Sequence, residues 1–131
     1  MTDLWPDDIA SEKITTPISI LKEQADLLSK KTSNILQGVI KSNQYKGGFN
    51  FTFRIDVPTL NYSFTLFEVS HSADLYPVLI KPSEGTAKEL GAHENILKAN
   101  SEEEFNECLR KIFSAEKTRN VISILLAQAQ A

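Results

Sequence analysis

Residues 49–57 read Phe-Asn-Phe-Thr-Phe-Arg-Ile-Asp-Val, and this stretch decides the fold. Its odd-numbered positions are all apolar and its even-numbered positions are all polar. Successive side chains of a β-strand point to opposite faces of the sheet. The alternation therefore predicts a strand with one buried face and one wet face.

Turn signals on both sides of this strand predict neighbours in an antiparallel meander over residues 35–81. Lys46-Gly47-Gly48 suits a hairpin connection, because glycine accepts the positive φ that tight turns require. Pro58-Thr59-Leu60-Asn61 turns the chain again, and residues 62–70 return it. The returning strand carries apolar residues on both faces, with Tyr62, Phe64 and Leu66 on one side and Phe67 and Val69 on the other. This predicts a central strand that is at least partly covered on both faces.

Helices are predicted at the two ends of the chain. Thr16 suits an N-cap before Pro17, and an apolar stripe follows at helical spacing until Thr32-Ser33-Asn34. Ser101 and Glu104 form a capping-box pattern that begins a second helix, and Ser114 begins a third. Residues 35–41 have two alternatives: they could prolong the first helix, but Gly38 and the turn that follows favour a strand.

The predicted order is α–β–β–β–β–β–α–α, with the short run 78–80 near an edge of the sheet and residues 95–98 as a last strand. Consecutive strands joined by short turns, with helices at the ends, indicate an α+β fold. We expect one domain over residues 1–131, with an irregular N-terminal arm at residues 1–13. The helices are expected to cover the aromatic stripe of the sheet; if they do not, the stripe could line a pocket for an apolar ligand.

Composition limits the classes of partner. The chain has 131 residues and a net charge of −3, and its 14 basic residues are scattered, whereas duplex binding requires a basic face. No apolar run approaches the roughly 20 residues of a membrane span. The lone Cys108 fits a reducing compartment. We therefore expect a cytoplasmic protein that binds neither nucleic acid nor membrane. In Pro17, Asn61-Tyr62 and residues 75–78 the chain also resembles small bacterial proteins, and this resemblance implies no functional residue.

The sequence contains none of the common catalytic or phosphate-binding signatures, so we expect no catalytic residue and no cofactor. Cys108 lies in the middle of an amphipathic helical pattern, which is typical of a small buried residue. His71, Asp74 and His93 could contribute to a ligand or metal site, or His71 could be a general base oriented by Asp74. Their spacing is not diagnostic, and ordinary hydrogen-bonding roles are favoured over a metal site.

Two further residues are candidates for interaction. Trp5 is the only large aromatic group of the arm, and we expect it to pack back onto the domain or, less often, to anchor a partner. Ile124 points away from the apolar stripes of the last helix, in a segment where six of the seven residues 121–127 are apolar.

Three functions follow as hypotheses. The favoured one is a small non-enzymatic interaction or accessory protein, such as an adaptor, an inhibitor or an immunity-type protein, that binds a partner or a second copy through the C-terminal helix. The alternatives are a ligand-binding domain or enzyme with its site near His71, and a structural subunit that assembles with itself.

Overall fold

The computed structural model describes residues 1–131 and confirms the α+β architecture. The helices are α1 (Pro17–Lys31), α2 (Glu84–Glu89), α3 (Glu102–Ser114) and α4 (Glu116–Ala129). The strands are β1 (Gln37–Asn43), β2 (Phe49–Val57), β3 (Tyr62–His71), β4 (Val78–Pro82) and β5 (Leu97–Ala99). Two short 3₁₀ turns lie at Pro58–Leu60 and His93–Asn95. No helix is both long enough and apolar enough to cross a lipid bilayer.

The five strands form one antiparallel sheet in the order β1-β2-β3-β4-β5. The alternation in β2 is confirmed, since its side chains from position 51 onward are alternately buried and half-buried. Residues 37–43 are a strand, as favoured, because Ser33 and Asn34 take positive φ values of 51° and 64° and end the helical path after α1. The run 78–80 belongs to β4, which lies one strand inside the edge formed by β5.

The prediction that β3 is covered on both faces is wrong, because a β-bulge changes its phase. Phe53 of β2 pairs with Phe67, whereas the next residue, Arg54, pairs with Thr65, so Leu66 is the extra residue. A bulge of this kind sets two consecutive residues against one on the partner strand. The apolar residues before and after the bulge therefore share the inner face. This is why they fall on even-numbered positions up to residue 66 and on odd-numbered positions after it.

One hydrophobic core of 18 buried residues lies between the inner face of the sheet and the helices. Phe53 and Phe67 stack with ring centroids 5.0 Å apart, and Phe113 of α3 meets both rings at 5.6 and 5.9 Å. The polar side chains of β2, on the outer face, are only half-buried. The helices therefore cover one face of the sheet and leave the other in contact with solvent.

The helix boundaries follow the capping chemistry with one correction. Thr16 and Ser19 form a reciprocal capping box at the start of α1, and the Ser101 hydroxyl accepts a hydrogen bond from the Glu104 amide. The last helix does not begin at Ser114. Ser114 ends α3, and Ala115 has extended backbone angles (φ −59°, ψ 143°) that separate α3 from α4.

Candidate functional site

His71 is buried at the end of β3, with only 7% of its surface exposed. Its ring lies against two aromatic rings of β2, with centroid distances of 5.3 Å to Phe49 and 5.8 Å to Phe51. Phe49 keeps 48% of its surface exposed, so one wall of the site is an accessible aromatic ring. The hairpin pairing of β2 with β3 brings these residues together, since Phe49 lies directly opposite His71 in the register.

The hydrogen bonding of His71 leaves one ring nitrogen without a partner. Nδ1 lies 2.7 Å from the carbonyl oxygen of Ser72. Because a carbonyl can only accept, we assign the proton of the neutral ring to Nδ1, and Nε2 is then an acceptor. Nε2 is buried and has no hydrogen-bond partner within the chain. A buried polar atom without a partner is exceptional in a folded protein, because its desolvation is not compensated by a hydrogen bond.

A surface pocket surrounds His71, and we call it the His71 pocket. It is lined by Thr16, Ile18, Ser42, Asn43, Gly48, Phe49, Asn50, Phe51, His71 and Leu75. Leu75 has a φ of 73°, a strained conformation for a bulky side chain. The neighbouring Tyr76 hydroxyl is also buried without a partner, and burial, followed by the charge of Glu102, raises the pKa of Tyr76. The two buried side-chain polar atoms that lack a hydrogen-bond partner thus belong to residues only five positions apart, His71 and Tyr76.

The structure does not join the other predicted ligands to His71. Asp74 uses its backbone N–H to donate a hydrogen bond to the Ser72 hydroxyl, 3.3 Å away. His93 is exposed, and its Nε2 lies 3.9 Å from a carboxylate oxygen of Glu94. No group of three or more His, Cys, Asp or Glu side chains is placed to hold a metal ion. The arrangement therefore offers one acceptor in an aromatic pocket and no second acid or base beside it.

Cys108 lies half-buried on α3. Burial raises the pKa of its thiol, Lys111 opposes that shift, and Glu104 and Glu107 reinforce it. A raised pKa disfavours the thiolate, which is the nucleophilic form. This environment is typical of a packing residue.

Ile124 is 55% exposed and lies in an apolar depression that we call the Ile124 face. The depression is formed where α4 passes the 3₁₀ turn and the start of β3; it is lined by Leu60, Tyr62, Phe64, Val121, Ile124, Leu125 and Gln128. None of these seven side chains is charged. Leu60 and Tyr62 are also exposed, and Phe64 and Val121 are half-buried, so Ile124 is not an isolated surface residue.

A second apolar opening lies between α1 and the α3–α4 corner, and sequence reasoning missed it. It encloses about 200 Å³ and is lined by Gln24, Leu27, Leu28, Lys31, Phe53, Ile55, Leu66, Phe113 and Ile122. The sheet residues at its base are buried all the same, since Phe53, Ile55 and Leu66 are at most 2% exposed, so the helices cover this part of the sheet as expected. The available signal was Leu27, an apolar residue off the predicted stripe of α1.

The N-terminal arm does not pack on the domain in this structure. All of residues 1–15 are exposed, and Trp5 retains 71% of its surface. The hydrogen bonds that involve side chains of the arm are local: the backbone amide of Trp5 donates to Asp3 Oδ1 at 3.0 Å, and the Ser11 hydroxyl donates to the Asp8 carbonyl at 2.8 Å. The expectation that Trp5 folds back is therefore not met, and the arm does not cover Ile124.

No protein-family model, no curated protein and no solved structure matches this chain.

Proposed function

We propose that this chain is a non-enzymatic protein-interaction domain, an accessory protein of the adaptor or inhibitor kind, whose docking surface is the Ile124 face. The observation that carries the proposal is the exposure of Ile124 within a group of apolar neighbours on α4, β3 and the turn between β2 and β3. Contiguous exposed apolar surface with polar groups at its rim is typical of interaction sites.

The composition of α4 supports this role. A helix that covers one side of a sheet needs a single apolar stripe. In α4 the buried Leu125 meets that need, while Ile122 lines the opening beside α1 and Ile124 lies toward solvent. Ile124 contributes little to the core of the single chain, so its apolar character is better accounted for by a partner.

The absence of charge on the face indicates the chemistry of that partner. An uncharged apolar surface can be buried without removing an ion from water, which would cost free energy. The matching surface is therefore an apolar helix or strand of another protein. Aromatic side chains such as Tyr62 and Phe64 supply much of the binding energy in interfaces of this type. We place the protein in the cytoplasm, where a lone half-buried cysteine stays reduced.

The enzymatic alternative has weaker support. General acid–base chemistry needs a group within hydrogen-bond reach of the reacting atom and, in most sites, a partner that orients it. His71 has an accepting Nε2, but its hydrogen bond is to a backbone carbonyl, and the nearby Asp74 side chain does not hold it. The pocket around His71 therefore favours binding over catalysis.

The test is capture of partners from the native cell with the tagged wild type and two variants. Ile124→Lys places a charge in the centre of the Ile124 face, whereas Ile96→Lys changes another partly exposed isoleucine before β5. We expect a partner that the wild type and Ile96→Lys retain and that Ile124→Lys loses at least tenfold. Equal recovery with all three proteins would refute the proposed surface.

A further inference from the structure

We propose that the apolar opening between α1 and the α3–α4 corner, which we call the α1–α4 pocket, binds a small aromatic carboxylate such as 3-phenylpropionate. The lining is apolar apart from Gln24 and Lys31, and the volume is about 200 Å³. The pocket shares no residue with the Ile124 face, so the inference does not rest on the proposed function. The size, the walls and the single charge of the pocket each restrict the ligand.

The volume restricts the size of the ligand. Cavities of about 150 Å³ that are lined by Leu, Ile and Phe bind benzene. The α1–α4 pocket has the same kind of lining and about 200 Å³. The additional space is about that of one or two water molecules in the liquid, which accommodates a linker of about one or two carbon atoms. The pocket therefore fits a single six-membered ring with a short side chain, and it is too small for a nucleotide or a long acyl chain.

Side chains of three helices form the mouth of the pocket. Leu27 of α1 is 38% exposed. Leu28, Phe113 of α3 and Ile122 of α4 are half-buried, so a ligand reaches them from solvent, and the buried sheet residues beneath them close the base. The ring of Phe113 is tilted by 55° against that of Phe53, with the centroids 5.6 Å apart. Aromatic rings prefer tilted or offset contacts with one another, so these walls favour an aromatic ligand over an aliphatic one.

Lys31 gives the pocket its only charge. No acidic side chain lines the pocket, and Lys31 forms no ion pair within the chain. The adjacent Lys30, by contrast, has its Nζ 3.9 Å from a carboxylate oxygen of Asp26. A lysine can lay its aliphatic part along an apolar surface while its ammonium group stays in water. Lys31 therefore adds a positive charge at the edge of an apolar pocket, where it can pair with the carboxylate of a ligand.

The spacing of the two polar lining residues indicates how the ligand lies. Gln24 and Lys31 are seven residues apart on α1, which is about 10.5 Å along the helix axis. Two helical turns separate them, so they share one face of the helix, with Leu27 and Leu28 between them. A ligand whose carboxylate pairs with Lys31 places its ring on this apolar stretch. The span is long enough for a ring, a short linker and a carboxylate in one line.

Titration of the full chain with 3-phenylpropionate tests the pocket, with 3-phenylpropanol as the neutral ligand of matched shape. We expect calorimetry to show one saturable site per chain with a dissociation constant below about 1 mM. The NMR signals of the Leu27, Leu28 and Ile122 methyl groups should shift, and those of Ile96 and Ile124 should not. The alcohol should bind about two- to fivefold more weakly, because solvent-exposed ion pairs contribute modestly, and high salt should reduce this difference.

Two pairs of variants separate the walls from the charge. Ile122→Phe fills the pocket with its own ring and should weaken binding about tenfold, whereas Ile96→Phe changes an isoleucine that does not line the pocket and should not. Lys31→Met removes the charge and should bring the carboxylate to the affinity of the alcohol. Lys30→Met, next to it but outside the lining, is the control. Circular dichroism checks the fold, and Leu27→Trp at the exposed mouth replaces Ile122→Phe if that variant does not fold.

Four results would overturn the inference. The first is a wild type that binds neither ligand saturably at several millimolar. The second is binding whose NMR shifts fall on Ile124 or Ile96 instead of the pocket. The third is full affinity in a folded Ile122→Phe or Leu27→Trp protein. The last is equal affinity of the wild type for the carboxylate and the alcohol, which would remove the role assigned to Lys31. Partner capture through the Ile124 face is unaffected by all four.

Discussion

Gly38 of β1 lies directly against Ala25 of α1, so close that a Cβ atom on Gly38 would stand 2.5 Å from the Ala25 Cα and 2.6 Å from its carbonyl oxygen. The Ser29 hydroxyl stabilises the same contact, because it accepts a hydrogen bond from the Gly38 amide at 3.1 Å and donates one to the Ala25 carbonyl at 3.2 Å. The absence of a side chain at Gly38 thus sets how closely α1 approaches the sheet.

Gly38→Ala should therefore destabilise the protein. The clash is with backbone, which cannot rotate away as a side chain can, so α1 must shift. Overpacking of this kind costs about 1–3 kcal/mol. Urea unfolding measures the loss, with Ser42→Ala, at an exposed position of the same strand, as the control. A Gly38→Ala protein as stable as the wild type would contradict the close approach.

Phe53→Ala should lower the free energy of unfolding by about 3–5 kcal/mol, because it leaves a cavity between Phe67 and Phe113. Phe51 is also buried, and its replacement by alanine should cost a similar amount. Phe49→Ala is the matched control on the same strand and face, and its partial exposure makes the expected loss much smaller. Urea unfolding of the three variants would show a wrong strand phase if Phe53→Ala cost less than about 1 kcal/mol.

The sequence was sufficient to predict the order of the elements, because caps, turn residues and periodicity are local properties. Thr16, the break at residues 32–34 and the alternation of β2 each depend on neighbours a few residues away. The phase of β3 was not predictable from the same pattern, since a bulge at Leu66 and a strand covered on both faces produce similar alternation. The register with β2, which is a long-range property, decides between them.

The same distinction applies to the candidate sites. His71 and Ile124 were identifiable as unusual residues, but their surroundings depend on elements distant in sequence. The exposure of Ile124 depends on how α4 crosses the start of β3, and the aromatic environment of His71 depends on its pairing with Phe49. The opening between α1 and α4 depends on the spacing of two helices about 90 residues apart in the chain, which no local pattern reports.

Ser101→Ala should reduce stability by about 0.5–2 kcal/mol, because the hydroxyl accepts a hydrogen bond from the Glu104 amide at 3.2 Å. Glu104 contributes separately, since its side chain accepts from the Asn100 amide at 2.9 Å. Glu103→Ala, at an exposed first-turn position without such a bond, is the control. Thermal or urea unfolding that finds no difference between Ser101→Ala and the wild type would remove the role of this cap.

Asp56→Asn should make the protein less sensitive to acid. Burial alone would raise the pKa of Asp56, but hydrogen bonds from Arg54 and Ser63 and the charge of Arg54 outweigh it, so the pKa lies below its usual range. The two Arg54 bonds measure 2.7 and 3.1 Å. A lowered folded-state pKa stabilises the protein above the unfolded-state value of about 3.9, and this contribution is lost as the pH falls through the lower folded-state value.

The measurement for Asp56 is urea unfolding of both proteins from pH 6 to pH 2. The wild type should lose more stability than Asp56→Asn below about pH 4, where the carboxylate becomes protonated. Because the pair is partly exposed to solvent, the difference should be small and should diminish in high salt. Parallel stability curves for the two proteins would show that the ion pair on the outer face contributes nothing measurable.

Ile124→Lys should leave the fold intact, because more than half of the Ile124 surface is already exposed and a lysine there can extend into water. Surface substitutions of this kind usually change stability by no more than about 0.5 kcal/mol.

Leu125→Lys is the contrasting variant. Leu125, the next residue in the sequence, is buried in the core, where an unpaired ammonium is strongly unfavourable. Leu125→Lys should therefore unfold or severely destabilise the protein. Circular dichroism and urea unfolding compare the two, and capture of the partner follows with the folded Ile124→Lys protein. Loss of the partner with an unchanged unfolding curve places the binding energy on the Ile124 face. If Ile124→Lys instead unfolds the chain as Leu125→Lys does, Ile124 is a core residue and the surface proposed for α4 does not exist.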